Sequence, residues 1–175
     1  MSVKSLFTAA GLQEGMSRRI DGLLATLILV ALAIGVVALR REPERLDGAV
    51  RVVDGDTVEL GGRRLRLAGL DAPELAQRCE RDGQLYPCGM AARDALRDLA
   101  REGLTCRTAS RDKYGRDLAT CAADGRDVGT VLVSRGLAVA YGRYDSEESE
   151  ARRRRLGLWA GRFERPSEWR EAHPR

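Results

Sequence analysis

A run of 18 uncharged residues, Gly22 to Leu39, separates a polar N-terminus from the rest of this 175-residue chain. As a helix the run would extend about 27 Å, because each residue adds about 1.5 Å, and this length approaches the thickness of a bilayer core. Beyond Thr26 nothing polar interrupts it, which argues against the alternative of a helix buried in a soluble core. We therefore predict a membrane helix at 22–39, preceded by an N-terminal flank at 1–21.

This segment is interpreted either as an anchor or as a cleaved signal peptide. Val36-Val37-Ala38 provides the small residues of a cleavage site, but the hydrophobic run and the stretch before it are both long for a signal peptide. We favour an uncleaved anchor that attaches the protein to the membrane. Cleavage after Ala38 would instead release it by secretion. Lys and Arg flank the run in equal number, so they do not decide its orientation.

Four cysteines, all beyond the hydrophobic run, bear on the compartment. Their gaps match no CxxC metal pattern, and their even number is typical of disulfides in an oxidising environment. The alternative is four buried thiols in a cytosolic domain, because cysteine also serves as a small core residue. We expect one pair to bracket a loop and the other to face across two strands, which gives Cys79–Cys88 and Cys106–Cys121. The domain would then lie outside the cytoplasm, in the periplasm or the extracellular space.

The rest of the chain has the pattern of a small α+β domain, mainly β, at 49–170, between a tether at 40–48 and a tail at 171–175. Hydrophobic alternation and turn residues predict strands at 49–53, 57–60, 63–67, 105–110 and 118–123. Helical periodicity and end signals predict a helix at 89–102, another at 128–135 and a third capped by Ser146. Five strands with a helix after the third favour a five-stranded Greek-key barrel of the OB type with about three helices.

Composition excludes several kinds of chemistry. The only histidine, His173, is almost the last residue, which disfavours a Ser-His-Asp triad, a histidine base and a zinc site with histidine ligands. Catalysis would have to use carboxylates, arginines or cysteines. The net charge of +4 arises from the last 25 residues, which carry +5, whereas residues 40–150 carry −2. Bulk charge is therefore weak support for a nucleic-acid partner.

Two acidic motifs flank the predicted strands of the meander. Asp54-Gly55-Asp56-Thr57 lies between the first two strands, and Asp71-Ala72-Pro73-Glu74 follows the third. Each alone has a structural explanation, the first as a turn and the second as a helix capping box with Pro at the first helical position. Together with Arg66 they place clustered carboxylates and a guanidinium at one end of the barrel. Such a cluster favours binding of a hard cation.

A third motif, Asp112-Lys113-Tyr114-Gly115-Arg116, adds a second guanidinium from a predicted turn, for which an exposed charged loop is the alternative. The strings VVDGDTVEL, RLRLAGLDAPE, DKYGR, GLAVAY and GLW, in this order, resemble the staphylococcal nuclease (thermonuclease) family over residues 50–170. This resemblance implies an OB barrel with helices. It also implies hydrolysis of phosphodiester bonds in DNA and RNA, dependent on calcium and with little sequence specificity.

The resemblance assigns roles to individual residues. One calcium ion would be bound by Asp56, Asp71 and the backbone carbonyl of Ala72, with Asp54 nearby. Glu74 would activate or position the attacking water. The scissile phosphate, whose negative charge grows during in-line attack, would be held by Arg66 and Arg116.

Substrate-binding positions also follow from the resemblance. Tyrosine rings stack on bases without regard to sequence, as a nonspecific nuclease requires. For Tyr114, Tyr141 and Tyr144 the alternative is a place in the barrel core with the hydroxyl at the surface. The implied positions are Lys113, Tyr114, Tyr141 and Tyr144.

The segment between Glu74 and Gly89 departs from the family's founder because it carries two of the cysteines, so substrate access is expected to differ. The competing hypothesis is a noncatalytic OB module that binds nucleic acid or protein at the membrane. Retention of the acidic and arginine side chains favours the enzyme. We infer DNA or RNA as substrate and no protein partner.

Overall fold

A computed structural model of the chain describes residues 24–32, 34 and 44–174, and it divides the chain into two units, Met1–Glu42 and Pro43–Arg175. In the first unit, residues 24–32 and 34 are helical. None of the helices in the described ranges combines the length and the apolar character needed to cross a bilayer. The predicted flank at 1–21 and part of the predicted membrane segment lie outside the described residues. Membrane attachment therefore stays a prediction.

Eleven strands lie in the described part of the second unit. They are β1 (Glu44–Leu46), β2 (Val50–Val52), β3 (Thr57–Leu60), β4 (Arg63–Leu67), β5 (Leu70–Asp71), β6 (Cys79–Arg81), β7 (Gln84–Tyr86), β8 (Thr105–Arg111), β9 (Asp117–Ala123), β10 (Arg126–Asp127) and β11 (Val139–Ala140). Seven of these strands form one mixed sheet in the order β1-β8-β9-β4-β3-β2, with β10 beside β9. The pair β4–β9 is parallel.

The two ends of this sheet are close in the chain. β1 occupies one end and β2 the other, yet only residues 47–49 separate them. Because the four residue steps from Leu46 to Val50 span no more than about 14 Å, the sheet curls until its ends approach each other.

The predicted meander β2-β3-β4 is confirmed, and β3 and β4 have the predicted bounds. The prediction of a tether at 40–48 was wrong for Glu44–Leu46, which pairs with β8. The prediction of five strands was also too low, because the six additional strands are only two or three residues long. Strands this short leave little periodicity in the sequence. Some of them, β1, β5 and β11, are held by pairing with distant segments, whereas β6 pairs with β7 and β10 with β9 across short turns.

Four α-helices and one 3₁₀ turn accompany the strands in residues 44–174: α1 (Cys88–Leu99), α2 (Val128–Ser134), α3 (Asp145–Arg153), the turn Gly157–Ala160 and α4 (Pro166–Ala172). Three of these helices were predicted, but α4 was not. Ser146 lies inside α3 instead of capping it, because the chain enters the helix through Tyr144 with a left-handed φ of 68°. The alternative of a helix start at Asp71 is excluded, because Asp71 belongs to β5 and the residues directly after it, 72–78, are not helical.

The core lies between the sheet and helices α1 and α2. Buried apolar side chains come from the sheet (Val58, Leu60, Leu65, Leu67), from α1 (Ala92, Leu96) and from α2 (Leu132, Val133). The structure forms both predicted disulfides, Cys79–Cys88 and Cys106–Cys121. The second joins residues directly opposite each other on β8 and β9, as the predicted turn between these strands implied.

Candidate active site

Strand pairing brings the first acidic motif next to Arg66. Asp56 immediately precedes β3, and the register places Thr57 opposite Arg66 on β4. The Arg66 guanidinium donates through Nη1 to Asp56 Oδ1 at 2.6 Å and through Nη2 to Asp71 Oδ1 at 2.8 Å. Asp71 is fixed in β5, which pairs with β11. One guanidinium thus joins the two carboxylates that were predicted to bind calcium.

Asp56 is almost fully buried and its carboxylate is surrounded by donors. Oδ1 accepts from the hydroxyl of Thr57 at 3.1 Å, and Oδ2 accepts from the backbone N–H of Ala72, also at 3.1 Å. The neighbouring Asp54 accepts from the backbone N–H of Asp56. Burial raises the pKa of Asp56 to about 7, against the opposing effect of Arg66. A charged Asp56 is therefore costly here unless additional positive charge lies beside it.

A second arginine completes the cluster. Arg170 on α4 donates through Nη1 and Nη2 to the two oxygens of Asp71, both at 3.0 Å, and through Nη1 to Glu74 Oε1 at 3.1 Å. These contacts raise the pKa of Arg170 above its usual value. Arg170 was not among the residues predicted from the sequence. Pro166 with Glu168 is a helix-start signal, but no local pattern points α4 toward an aspartate 99 residues earlier in the chain.

The charges of the cluster fit a divalent cation. Four carboxylates (Asp54, Asp56, Asp71 and Glu74) face two guanidiniums (Arg66 and Arg170), which leaves an excess of negative charge. Within residues 44–174, no three side chains of His, Cys, Asp or Glu are placed to hold a metal ion together. An ion at Asp56 and Asp71 would therefore complete its shell with backbone carbonyl and water oxygens, which calcium accepts readily.

Arg116 lies apart from these contacts. Its Nε donates to Asp112 Oδ2 at 2.7 Å, and its backbone N–H donates to Asp112 Oδ1, within the turn between β8 and β9. The side chain is 39% exposed. The structure thus brings Asp56, Arg66, Asp71 and Glu74 together and places Arg116 in its own turn, where it is accessible to a ligand from solvent.

The predicted substrate-binding residues fall into two groups. Tyr114 and Tyr141 are exposed by 72% and 75%, and the ammonium of Lys113 lies 5.0 Å from the centre of the Tyr114 ring. Tyr144 is half-buried and packs against the core. Burial and a hydrogen bond with Asp127 raise the pKa of Tyr144 to about 12. Tyr114 and Tyr141 are thus open to a ligand, whereas the Tyr144 ring is partly covered by the core.

The cysteine-bearing segment after Glu74 is a hairpin, β6-β7, tied to the start of α1 by Cys79–Cys88. Gln77, fully buried before the hairpin, accepts from the backbone N–H of Glu74 at 3.2 Å and donates to the carbonyl of Glu164 at 2.7 Å. Residue 164 lies two residues before Pro166, the first residue of α4. Gln77 therefore connects the Glu74 loop to the helix that carries Arg170, and its amide was not recognised in the sequence.

Comparison with known proteins gives a consistent result. The chain matches the staphylococcal nuclease homologue family over residues 64–161. It is 36% identical over 169 residues to the succinoglycan biosynthesis protein ExoI of Rhizobium meliloti, covering 90% of this chain and 87% of that protein. It is 34% identical over 174 residues to the micrococcal nuclease of Shigella flexneri, covering 85% and 95% of the two chains. An uncharacterized endonuclease of Haemophilus influenzae is 27% identical over 161 residues, covering 85% and 84%. With the predicted motifs, the strand order and the clustered acidic side chains, these matches show that the chain belongs to the staphylococcal nuclease family.

Proposed function

We propose that this phosphodiester hydrolase is a calcium-dependent nuclease that cleaves DNA and RNA with little sequence specificity. The observation that carries the proposal is the buried pair Asp56 and Asp71, bridged by Arg66 and adjacent to Glu74. The names of the relatives from Shigella flexneri and Haemophilus influenzae, a nuclease and an endonuclease, support it.

The side chains suit in-line attack of water on a phosphodiester. Negative charge grows on the phosphate oxygens in the transition state, and guanidinium groups stabilise that charge more than they stabilise the ground state. Arg66 has five N–H donors, so it can donate to a phosphate while it keeps one carboxylate contact, and Arg116 would donate from its exposed turn. Glu74 orients the attacking water. Asp56, Asp71 and the carbonyl of Ala72 would hold calcium, which supplies positive charge beside the phosphate when bound.

Around the reacting centre, substrate contacts would come from exposed aromatic and basic groups. Tyr114 and Tyr141 present their rings to solvent, where bases can stack on them without sequence preference. Lys113, next to the Tyr114 ring, would add attraction for the phosphate backbone.

We further propose that the curled sheet is a barrel of the OB type. The support is that β1 and β2, at opposite ends of the sheet, are almost consecutive in the chain. We also propose that the domain works outside the cytoplasm, where its two disulfides are stable, and that it is attached by the segment 22–39 or secreted after cleavage following Ala38.

A cleavage assay on the purified, disulfide-intact chain tests the nuclease proposal. Plasmid DNA and a structured RNA should be degraded with calcium and left intact with chelator. Glu74→Gln should lose most activity, since a positioned acid or base group contributes about 10² to 10⁴-fold. The control Asp94→Asn changes an exposed carboxylate on α1 and should cleave like the parent.

The noncatalytic alternative makes the opposite prediction. A binding module would retain nucleic acid in a filter-binding or gel-shift assay and leave it intact at every calcium concentration. That result with folded protein would overturn the nuclease proposal.

A further inference from the structure

We propose that Arg170 is a positioning residue of the active centre, which holds the carboxylates of Asp71 and Glu74 in the relative arrangement that hydrolysis requires. The inference rests on the proposed nuclease function and extends its machinery to a helix at the end of the domain. Arg170 acts through the two carboxylates and does not contact the reacting atoms itself.

The contacts of Arg170 are specific to the cluster. Nη1 lies between Asp71 Oδ1 and Glu74 Oε1, at 3.0 and 3.1 Å, so a single nitrogen fixes the distance between a proposed calcium ligand and the residue that orients water. Nη2 donates to Asp71 Oδ2, so both terminal nitrogens of the guanidinium are fixed by carboxylate oxygens. Carboxylates with planar, two-point partners are the ones whose orientation is best defined.

Arg66 and Arg170 divide the cluster between them. Arg66 joins Asp71 to Asp56, and Arg170 joins Asp71 to Glu74. Asp71 Oδ1 accepts from both guanidiniums. If Arg66 turns toward a bound phosphate, Arg170 still holds Asp71 and Glu74 in place. Partners that orient metal-binding carboxylates typically change activity by about 10 to 100-fold when removed.

The helix that carries Arg170 is itself fixed to the Glu74 loop. Gln77 contacts the backbone on both sides, at Glu74 and at Glu164. Pro166, the first residue of α4, is buried, and Glu168 accepts from the backbone N–H at the helix start. Arg170 thus arrives at the carboxylates on an element whose position is set by the same loop that carries Glu74.

The test measures kcat, KM and thermal unfolding for variants of the full chain. Arg170→Ala should lower kcat by about 10 to 100-fold with KM within about twofold of the parent. Arg170→Lys should recover only part of this loss, because an ammonium lacks the planar, two-point donor geometry of a guanidinium. In the Glu74→Ala background, Arg170→Ala should lower kcat by a smaller factor than in the parent, because one of the two carboxylates that Arg170 positions is absent. Arg162→Ala is the matched control, since it removes an exposed ion pair with Glu80 from the same C-terminal segment, and it should keep the kcat of the parent.

A second readout does not depend on activity. Unfolding temperatures measured in chelator for Arg170→Ala, Glu74→Ala and the double variant should be non-additive, because residues in contact share an interaction energy. Additive shifts would overturn the inference. So would a folded Arg170→Ala protein with parental kcat, or one whose loss of kcat is equally large with and without Glu74. A parent that fails to cleave in calcium would instead overturn the proposed function, and the inference with it.

Discussion

Replacement of Gly89 by alanine tests whether the Glu74 loop must lie where the structure places it. Gly89 is the second residue of α1, and a Cβ built on it would lie 1.8 Å from the carbonyl oxygen of Glu74 and 3.0 Å from the Cα of Leu75. Ordinary carbon–oxygen contacts lie at about 3.3 Å, so helix and loop must separate by about 1.5 Å. The disulfide Cys79–Cys88 holds the start of the helix, so we expect the loop to move.

We expect Gly89→Ala to lower kcat strongly and to lower the free energy of unfolding only moderately. Overpacking of this kind destabilises by about 1–3 kcal/mol, which a domain of ordinary stability, about 5–15 kcal/mol, tolerates. A displacement of about 1 Å at a catalytic group lowers turnover by about 10²-fold. We therefore expect a folded protein with about 100-fold lower kcat and a small change in KM, measured by steady-state cleavage and thermal unfolding.

Gly136→Ala is the matched control for Gly89→Ala. A Cβ at Gly136 would lie 2.1 Å from the carbonyl oxygen of Leu156, and its φ of 67° adds backbone strain. It should therefore destabilise at least as much and leave kcat per folded molecule unchanged. A folded Gly89→Ala protein with parental kcat would refute the argument that the loop position matters.

Three further predictions concern the site and its location. Arg116→Ala should lower kcat by about 10² to 10³-fold with a much smaller change in KM, measured by steady-state kinetics, because it removes a donor used in the transition state. Equal loss in kcat/KM and in binding of uncleaved DNA would contradict that role. Asp56→Ala should raise the calcium concentration needed for half-maximal activity by at least about tenfold, with activity partly regained at high calcium, because one of two acidic ligands is lost. An unchanged calcium titration would exclude Asp56 as a ligand. Protease added to intact spheroplasts should digest the domain, and its protection until lysis would show that the domain faces the cytoplasm.

Local patterns predicted those parts of the fold that depend on neighbouring residues. β4 has its predicted bounds because Leu65 and Leu67 alternate with arginines, and β3 ends where predicted because the Gly61-Gly62 turn follows it. β1 was predicted as tether because Glu44 and Arg45 give it no apolar alternation, and only pairing with β8, about 60 residues later, makes it a strand. Its formation is a consequence of the sheet and not of its own sequence.

The same distinction applies to the site. Asp56, Arg66 and Asp71 were expected at one end of the meander because hairpin geometry brings them there, and the structure gives them mutual contacts. Arg170 and Gln77 reach the site across long stretches of chain, and a single sequence contains no signal for such contacts. Tyr144 packs against the core, and its position in the family pattern does not reveal this contact.

The electrostatics of the cluster link its stability to its proposed chemistry. Burial disfavours the charged form of Asp56, and repulsion from Asp54 and Asp71 acts in the same direction. Guanidiniums from β4 and α4 reduce this repulsion, which allows the carboxylates to remain close in the folded chain. They do not remove it, since four carboxylates face two arginines. A divalent cation bound there as we propose would offset the remaining negative charge, and it would free Arg66 to donate to the phosphate that the reaction must stabilise.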